Sequence, residues 1–325
     1  MTGTTRRGLM ALGIAGAATR AFAQEVRYPE RAVTLVVPAS PGGGGDFTAR
    51  LLGDALTHSL GHPFVVENRV GGSGNVASMA VARAVPDGYS LLLAYSGTHV
   101  ANPALFPNLG WDPVRSFAPV ALVLRAPHVI VVRKDLPVRT LAELAEHARQ
   151  NPGRLNYASS GAGTIQHIGG EQFARIVGAP MVHVPYRGAG PAMNDLVAGN
   201  IDLMITTPPA VVGLVRDGSI RALAVTSGGR HAMLPDVPTT AEAGLSAFEL
   251  EAWFGIYAPA GTPQPVVDKL SAEIRRVTET PEFRRRCAES GTYAAYMDAT
   301  ELAAFTTSEL AYWSNLIRRL GVRPE

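Results

Sequence analysis

Apolar positions recur along this chain in two rhythms. Short β-branched runs alternate with longer stretches in which apolar residues return every three to four positions, so strands alternate with amphipathic helices. Val33-Thr34-Leu35-Val36-Val37 reads as a strand stopped by Pro38. After a glycine run, Phe47, Leu51, Leu52, Ala55, Leu56 and Leu60 keep the 3.6-residue period, and Gly61 stands where a left-handed residue closes a helix. Phe64-Val65-Val66 is the next strand, Asn75 to Ala84 a small-residue helix, and Tyr89 to Ala94 a strand apolar on both faces after the turn Pro86-Asp87-Gly88. Val120 to Leu124 and His128 to Val132 read as two strands separated by Arg125-Ala126-Pro127. Thr140 and Glu143 form a capping-box pair opening a helix. Leu155 to Ala158, Met181 to Val184, Ile201 to Thr206 and Ala222 to Thr226 are four further strands. From Pro265 the pattern turns helical, over Val266 to Thr278, Pro281 to Ser290 and Thr300 to Leu320. This order predicts an α/β fold with parallel strands.

Composition sharpens the picture at a few points. The 325 residues are 46% hydrophobic and 17% charged, which excludes an extended disordered chain and suggests two domains. Cys287 is the single cysteine, so an intramolecular disulfide, a CxxC centre and a cysteine-built zinc site are excluded. The formal charge of +2 owes its sign to the first residues. Residues 1–23 carry Arg6, Arg7 and Arg20 with no acid, an eleven-residue apolar stretch from Gly8 to Ala18, and a small-x-small site at Ala21-Phe22-Ala23. That is the build of an export signal cleaved after Ala23, too short to span a bilayer; twin-arginine and ordinary Sec export both fit it. Its removal leaves 302 residues with 26 basic and 27 acidic groups, a net charge of −1. The Arg275-Arg276 and Arg284-Arg285-Arg286 clusters lie among Glu273, Glu279, Glu282 and Glu289, which reads as a solvated helix face and not a nucleic-acid patch.

One arrangement occurs three times: a strand, a glycine-rich loop, a helix. The loops are Pro38-Ala39-Ser40-Pro41-Gly42-Gly43-Gly44-Gly45-Asp46, Ser159-Ser160-Gly161-Ala162-Gly163-Thr164 and Pro185-Tyr186-Arg187-Gly188-Ala189-Gly190, the last followed by Pro191 as helix starter. Each offers backbone N–H groups at a helix N-terminus, where free donors and the positive dipole end attract anions. Enzymatic motifs fail at the same places. No glycine loop precedes Lys-Ser/Thr, the GxGxxG pattern breaks at Phe47, and GxSxG breaks at Asn75. His58 and His62 are separated by the helix-breaking Gly61, and a solvated pair is expected instead of a metal site. His167 either meets a ligand or caps and packs. Asp46 is an N-cap or an acceptor for a ligand hydroxyl or amine. Arg187 is the candidate charge partner for a carboxylate, and Trp253 either lines a cleft or packs in the core.

Read together, these loops resemble the exported substrate-binding proteins of tripartite tricarboxylate transporters, the Bug-type family. The resemblance spans nearly the whole chain after residue 23. It rests on Tyr28-Pro29, Pro38 to Asp46, Val66-Glu67-Asn68-Arg69 with Gly71-Gly72-Ser73-Gly74-Asn75, Pro86-Asp87-Gly88-Tyr89 and Phe117-Ala118-Pro119-Val120. Further on it includes Val184-Pro185-Tyr186-Arg187-Gly188, Leu234-Pro235-Asp236-Val237-Pro238-Thr239, Trp253-Phe254-Gly255 and Ala258-Pro259-Ala260-Gly261-Thr262-Pro263. It implies a type II periplasmic-binding-protein fold, with two lobes, central sheets and a hinge. Lobe 1 is expected from 24–125 and 247–325, and lobe 2 from 126–246. It also implies a periplasmic, non-enzymatic binder of a small organic carboxylate, expected as a monomer, without cofactor or metal, that serves membrane permease subunits. Carried over residue by residue, it implicates Ser40, Gly43, Gly44 and Asp46 from one lobe. Ser160, Gly163, Thr164, His167, Tyr186 and Arg187 come from the other, with Ser96, Thr98 and Thr207 at strand ends. Two departures stand out. Ala39 replaces the family's usual aromatic residue, which suggests an enlarged cleft and a bulkier or aromatic acid. Ile205-Thr206-Thr207-Pro208-Pro209 lacks the acid common near Thr207, which suits an anion better than an amine. A ligand sensor of the same fold and an α/β hydrolase are the alternative functions.

Overall fold

The computed structural model describes residues 27–106, 108–246 and 248–322; the export-signal reading falls on residues 1–23, outside them. Most of the first strands and helices form where the two rhythms place them: β1 (Val33–Val37), α1 (Gly44–Leu60), β2 (Phe64–Asn68), α2 (Asn75–Ala82) and β3 (Ser90–Tyr95), followed by the unforeseen α3 (Asn102–Leu105) and by β4 (Phe117–Pro127). The chain then builds β5 (Val129–Arg133), α4 (Leu141–Gln150), β6 (Asn156–Ser159), α5 (Ile165–Val177) and β7 (Val182–Pro185). Next come α6 (Ala189–Val197), β8 (Leu203–Thr206), α7 (Val212–Arg216) and β9 (Ile220–Val225). It returns through β10 (Glu251–Pro259), α8 (Gln264–Thr278), α9 (Pro281–Ser290), β11 (Tyr293–Met297) and α10 (Ala299–Leu320).

Two sheets result, in the orders β11-β4-β10-β3-β1-β2 and β7-β6-β8-β5-β9. The expected parallel pairing holds where a helix follows each strand, in β2-β1-β3 and in β7-β6-β8. The remaining pairs, β3–β10, β10–β4, β4–β11, β8–β5 and β5–β9, are antiparallel, so both sheets are mixed. The break expected over Arg125-Ala126-Pro127 does not exist. Ladder bonds with β10 carry β4 through Pro127, and only His128 separates it from β5 in the other sheet.

Local signals account for several helix ends. Gly61, Gly178, Gly291 and Gly321 adopt left-handed conformations after α1, α5, α9 and α10, where a Cβ is disfavoured. Thr140 caps α4 by accepting from the Glu143 N–H, but the Glu143 carboxylate accepts from Arg139 N–H, so the box closes one residue early. α6 begins at Ala189, which makes Pro191 its third residue and not its first. The Arg-rich helices carry ion pairs such as Arg276–Glu273 and Arg285–Glu282, on side chains more than half exposed on the arginine side, consistent with a solvated face.

Both sheets bury apolar residues on either side. β10, unforeseen as a strand, lies at the centre of the first sheet and buries Ala252 to Ala258 almost completely. Beside it the His99 ring packs among Trp111, Phe117 and Tyr257, with its Nε2 donating to the Pro113 carbonyl at 3.1 Å. Burial disfavours the imidazolium and pushes His99 down to about 3, and the fully buried His128 down to about 4. The unfolded chain takes up these protons near pH 6.5, whereas the folded one refuses them until pH 4 or 3. Stability is therefore complete above pH 6.5 and is lost as pH falls below it. At pH 5 each of the two histidines should remove about 2 kcal/mol. Calorimetric unfolding from pH 7.5 to 5 should show a falling midpoint, and a flat profile would exclude neutral burial of both rings.

Candidate functional site

The three glycine-rich loops meet in one cleft between the sheets. Each leaves a strand at its carboxyl end and enters a helix, and the first residues of those helices, Gly44 of α1, Ile165 of α5 and Ala189 of α6, line the same cleft. The cleft has two chambers that share Pro38, Ala39, Ser40, Tyr95 and Ser160 in their walls. The inner chamber, about 50 Å³, is walled by Val37, Leu93, Ile165 and Phe254, with Gly43, Gly44 and Gly45 at the start of α1. His128, Gln166, Thr206 and Thr207 supply most of its polar groups. The outer chamber, about 340 Å³, is lined by Gly71 to Gly74, Thr98, Gly161, Thr164, Tyr186, Arg187 and Gly188.

Hydrogen bonds tie the two sides of the cleft together. Ser40 Oγ donates to the Arg187 carbonyl at 2.8 Å, Ser73 Oγ donates to the Ala162 carbonyl, and Ile165 N–H donates to the Tyr95 hydroxyl at 3.1 Å. Ser73 holds a left-handed backbone (φ 55°), unusual for a residue with a side chain and frequent at functional sites. Close approach explains two glycines. A Cβ on Gly44 would stand 2.7 Å from Thr207 Oγ1, and one on Gly188, whose φ is 120°, would overlap Ser40 Oγ.

Charge is sparse. Among the described residues that line the chambers there is no Asp or Glu, and Arg187 carries the one full charge. Its guanidinium, in an exposed residue, makes no hydrogen bond or ion pair with another described residue. The Tyr186 hydroxyl, in contrast, is committed to Asp195 Oδ2 at 2.6 Å. An arrangement of neutral donors around a single cation suits a carboxylate: its oxygens are expensive to desolvate unless each finds a donor.

Nine of the residues singled out from sequence line the cleft: Ser40, Gly43, Gly44, Thr98, Ser160, Thr164, Tyr186, Arg187 and Thr207. Four do not. Asp46 is not the N-cap, a place taken by Gly43; it is the third residue of α1 and buried. Its carboxylate accepts from Gly42 N–H and Arg50 Nε, so it shapes the first loop. Burial acts to raise this carboxyl, but hydrogen bonds from Arg50, Gly42 and Asn68 and the Arg50 charge hold it below the ordinary value. His167 Nδ1 accepts from Gly163 N–H at 2.9 Å, and its ring stacks on His183 with centroids 3.8 Å apart; it braces the second loop from behind. Gly163 lies buried against Leu105, and Ser96 lies in the seam with β10. Trp253 belongs to the core, its indole N–H bonded to Glu309, while the next residue, Phe254, lines the inner chamber. Adjacent strand residues face opposite sides, so the aromatic motif was informative and its second member is the cleft residue.

The family model described as "Tripartite tricarboxylate transporter family receptor" matches residues 48–322. The chain belongs to this family. A Pseudomonas sp. (strain P51) relative, described as a UPF0065 protein in the tcbD-tcbE intergenic region, is 38% identical over 96% of this chain and 93% of its own length. Among solved structures, the periplasmic binding protein BugD is 37% identical with a TM-score of 0.88, over 92% of this chain and 100% of that one. Rhodopseudomonas palustris Rpa4515 with adipate is 35% identical with a TM-score of 0.89, over 92% and 100%. MatC of the same species, with bound malate, is 35% identical with a TM-score of 0.84, over 89% and 100%. The family's periplasmic-binding-protein fold is the fold of this chain.

Ala39 and Tyr95 both line the two chambers, and the Tyr95 ring stacks on Phe254 with centroids 5.9 Å apart, so the cleft has an aromatic wall at the end of β3. Tyr95, Ser73, His128, Gln166 and Thr206 line the cleft but were not among the candidate site residues. The sequence signal that was available for Tyr95 and Thr206 was their place at strand carboxyl ends. Gly188→Ala should separate the first and third loops by forcing Ser40 aside. The expected effect is a loss of about 1–3 kcal/mol in denaturant unfolding; a wild-type midpoint would show that the loops can part freely.

Proposed function

We propose that this protein captures a small organic carboxylate between two lobes and delivers it to the membrane subunits of a tripartite tricarboxylate-type transporter. Lobe 1 comprises 24–125 with 247–325 and lobe 2 comprises 126–246, with the crossing strands acting as the hinge. The observation that carries the reading is the convergence of three helix N-termini and Arg187 on a cleft whose described lining has no acid. Adipate and malate in the two Rhodopseudomonas palustris relatives favour the same ligand class. Residues 1–23 would direct export to the periplasm and be cleaved after Ala23, with function as a monomer. No described helix is long and apolar enough to cross a membrane. The lining serines Ser40, Ser73 and Ser160 donate to the Arg187 carbonyl, the Ala162 carbonyl and Gln166 Oε1, which fits delivery to a permease without bond-making.

A ligand that binds only the folded state raises the unfolding temperature. A thermal-shift series of mono-, di- and tricarboxylates and aromatic acids should give at least one clear stabilisation; none, together with turnover of an ester or amide, would reject the binding role. Arg187→Ala should weaken the best ligand about tenfold to a hundredfold in calorimetric titration, the value of a charge-assisted contact. Unchanged affinity would remove Arg187 from the site.

A further inference from the structure

The inner chamber carries a signal that carboxylate capture alone does not use. His128 is the one residue between β4 and β5, is fully buried, and lines that chamber. Its backbone N–H donates to Thr226 Oγ1 at 2.8 Å, and its ring Nδ1 lies 3.3 Å from the Leu250 carbonyl. A carbonyl oxygen only accepts, so Nδ1 carries the proton. The opposite ring nitrogen, Nε2, is then a lone-pair acceptor, and it has no hydrogen-bond partner among the described residues. Thr206 Oγ1, fully buried in the same wall, has none either. Burial keeps the ring neutral at pH 7.

A buried acceptor asks for a donor. A carboxylate oxygen would set lone pair against lone pair there. An ammonium group would donate, but no Asp or Glu lines either chamber among the described residues to balance its charge. A hydroxyl meets both demands: it donates to Nε2 and can also accept from Thr206. The surrounding Val37, Leu93, Ile165 and Phe254 suit the carbon skeleton. We propose that the ligand is a hydroxy acid, its carboxylate held by the loop N–H groups and its hydroxyl donating to His128 Nε2 in the inner chamber. This rests on the carboxylate-binding function above and narrows its ligand class.

The test compares carboxylates that differ only by the hydroxyl: malate with succinate, 6-hydroxyhexanoate with hexanoate, and 4-hydroxybenzoate with benzoate, each titrated calorimetrically at pH 7.5. In at least one pair the hydroxy member should bind about tenfold or more tightly, the effect of satisfying a buried acceptor. His128→Phe, which keeps a ring but removes the acceptor, should bring that ratio to within about threefold. Should the variant not fold, long-range ¹H–¹⁵N spectra of the unaltered protein decide the matter. They should show the Nδ1–H tautomer and an Nε2 shift that moves with the hydroxy ligand and not with its partner. Equal affinities within every pair, or an Nε2–H tautomer, overturn the hydroxy-acid assignment while leaving carboxylate capture intact. Failure of every carboxylate to bind overturns both.

Discussion

Everything in this molecule is arranged around a double crossing between two sheets. The chain leaves the first sheet at His128 and returns to it after β9 through the segment that ends at Leu250. Thr226 clamps the two crossings: its N–H donates to the His128 carbonyl at 2.9 Å, its hydroxyl accepts from His128 N–H, and the same hydroxyl donates to the Leu250 carbonyl. These groups are buried, where an unmade hydrogen bond costs about 1–3 kcal/mol, so the crossing strands hold their register. The cleft lies where the crossing leaves space, and the strand carboxyl ends bring the glycine loops to its rim. His128 stands both at this crossing and in the cleft wall.

The direct bonds across the cleft mouth are few. Ser40 to the Arg187 carbonyl, Ser73 to the Ala162 carbonyl and Ile165 to Tyr95 are neutral contacts of about 1 kcal/mol each. A sum of this size leaves a proposed closed state dependent on what it encloses, since a bound carboxylate adds charge-assisted bonds worth roughly twice as much apiece. Over residues 24–325 the basic and acidic groups nearly cancel, at 26 to 27, so attraction for an anion has to come from local donors and Arg187, without a broad positive field.

How much was legible depended on whether a residue's role is set by its neighbours in sequence or across the fold. Gly61 closing α1 and Thr140 capping α4 depend on a few adjacent residues, and both stood out. Ser40, Ser160 and Arg187 were legible because a strand–glycine loop–helix run announces an anion-facing turn. Asp46 and His167 sit in the same loops but turn backward, to Gly42 with Arg50 and to Gly163, and no spacing rule distinguishes a loop's brace from its lining. β10 was missed for another reason. Its apolar residues run on without alternation because the strand is buried on both faces, and its pairing partners, β3 and β4, are more than a hundred residues away.

By itself, the sequence determined the α/β class, the order of most strands and helices, the family, and the three loops able to present N–H groups to an anion. Those properties follow from periodicity, glycine conformations and local motifs. Only the tertiary structure decided that β4 and β5 part at a single residue, that Tyr95 stacks on Phe254 in the cleft wall, and that His128 Nε2 and Thr206 Oγ1, on two residues lining the inner chamber, have no partner among the described residues. The physical reason is that a side chain's hydrogen-bond balance is settled by whatever the other sheet places against it. For His128 that partner is the Leu250 carbonyl, which takes the Nδ1 proton, while Nε2 has no partner among the described residues.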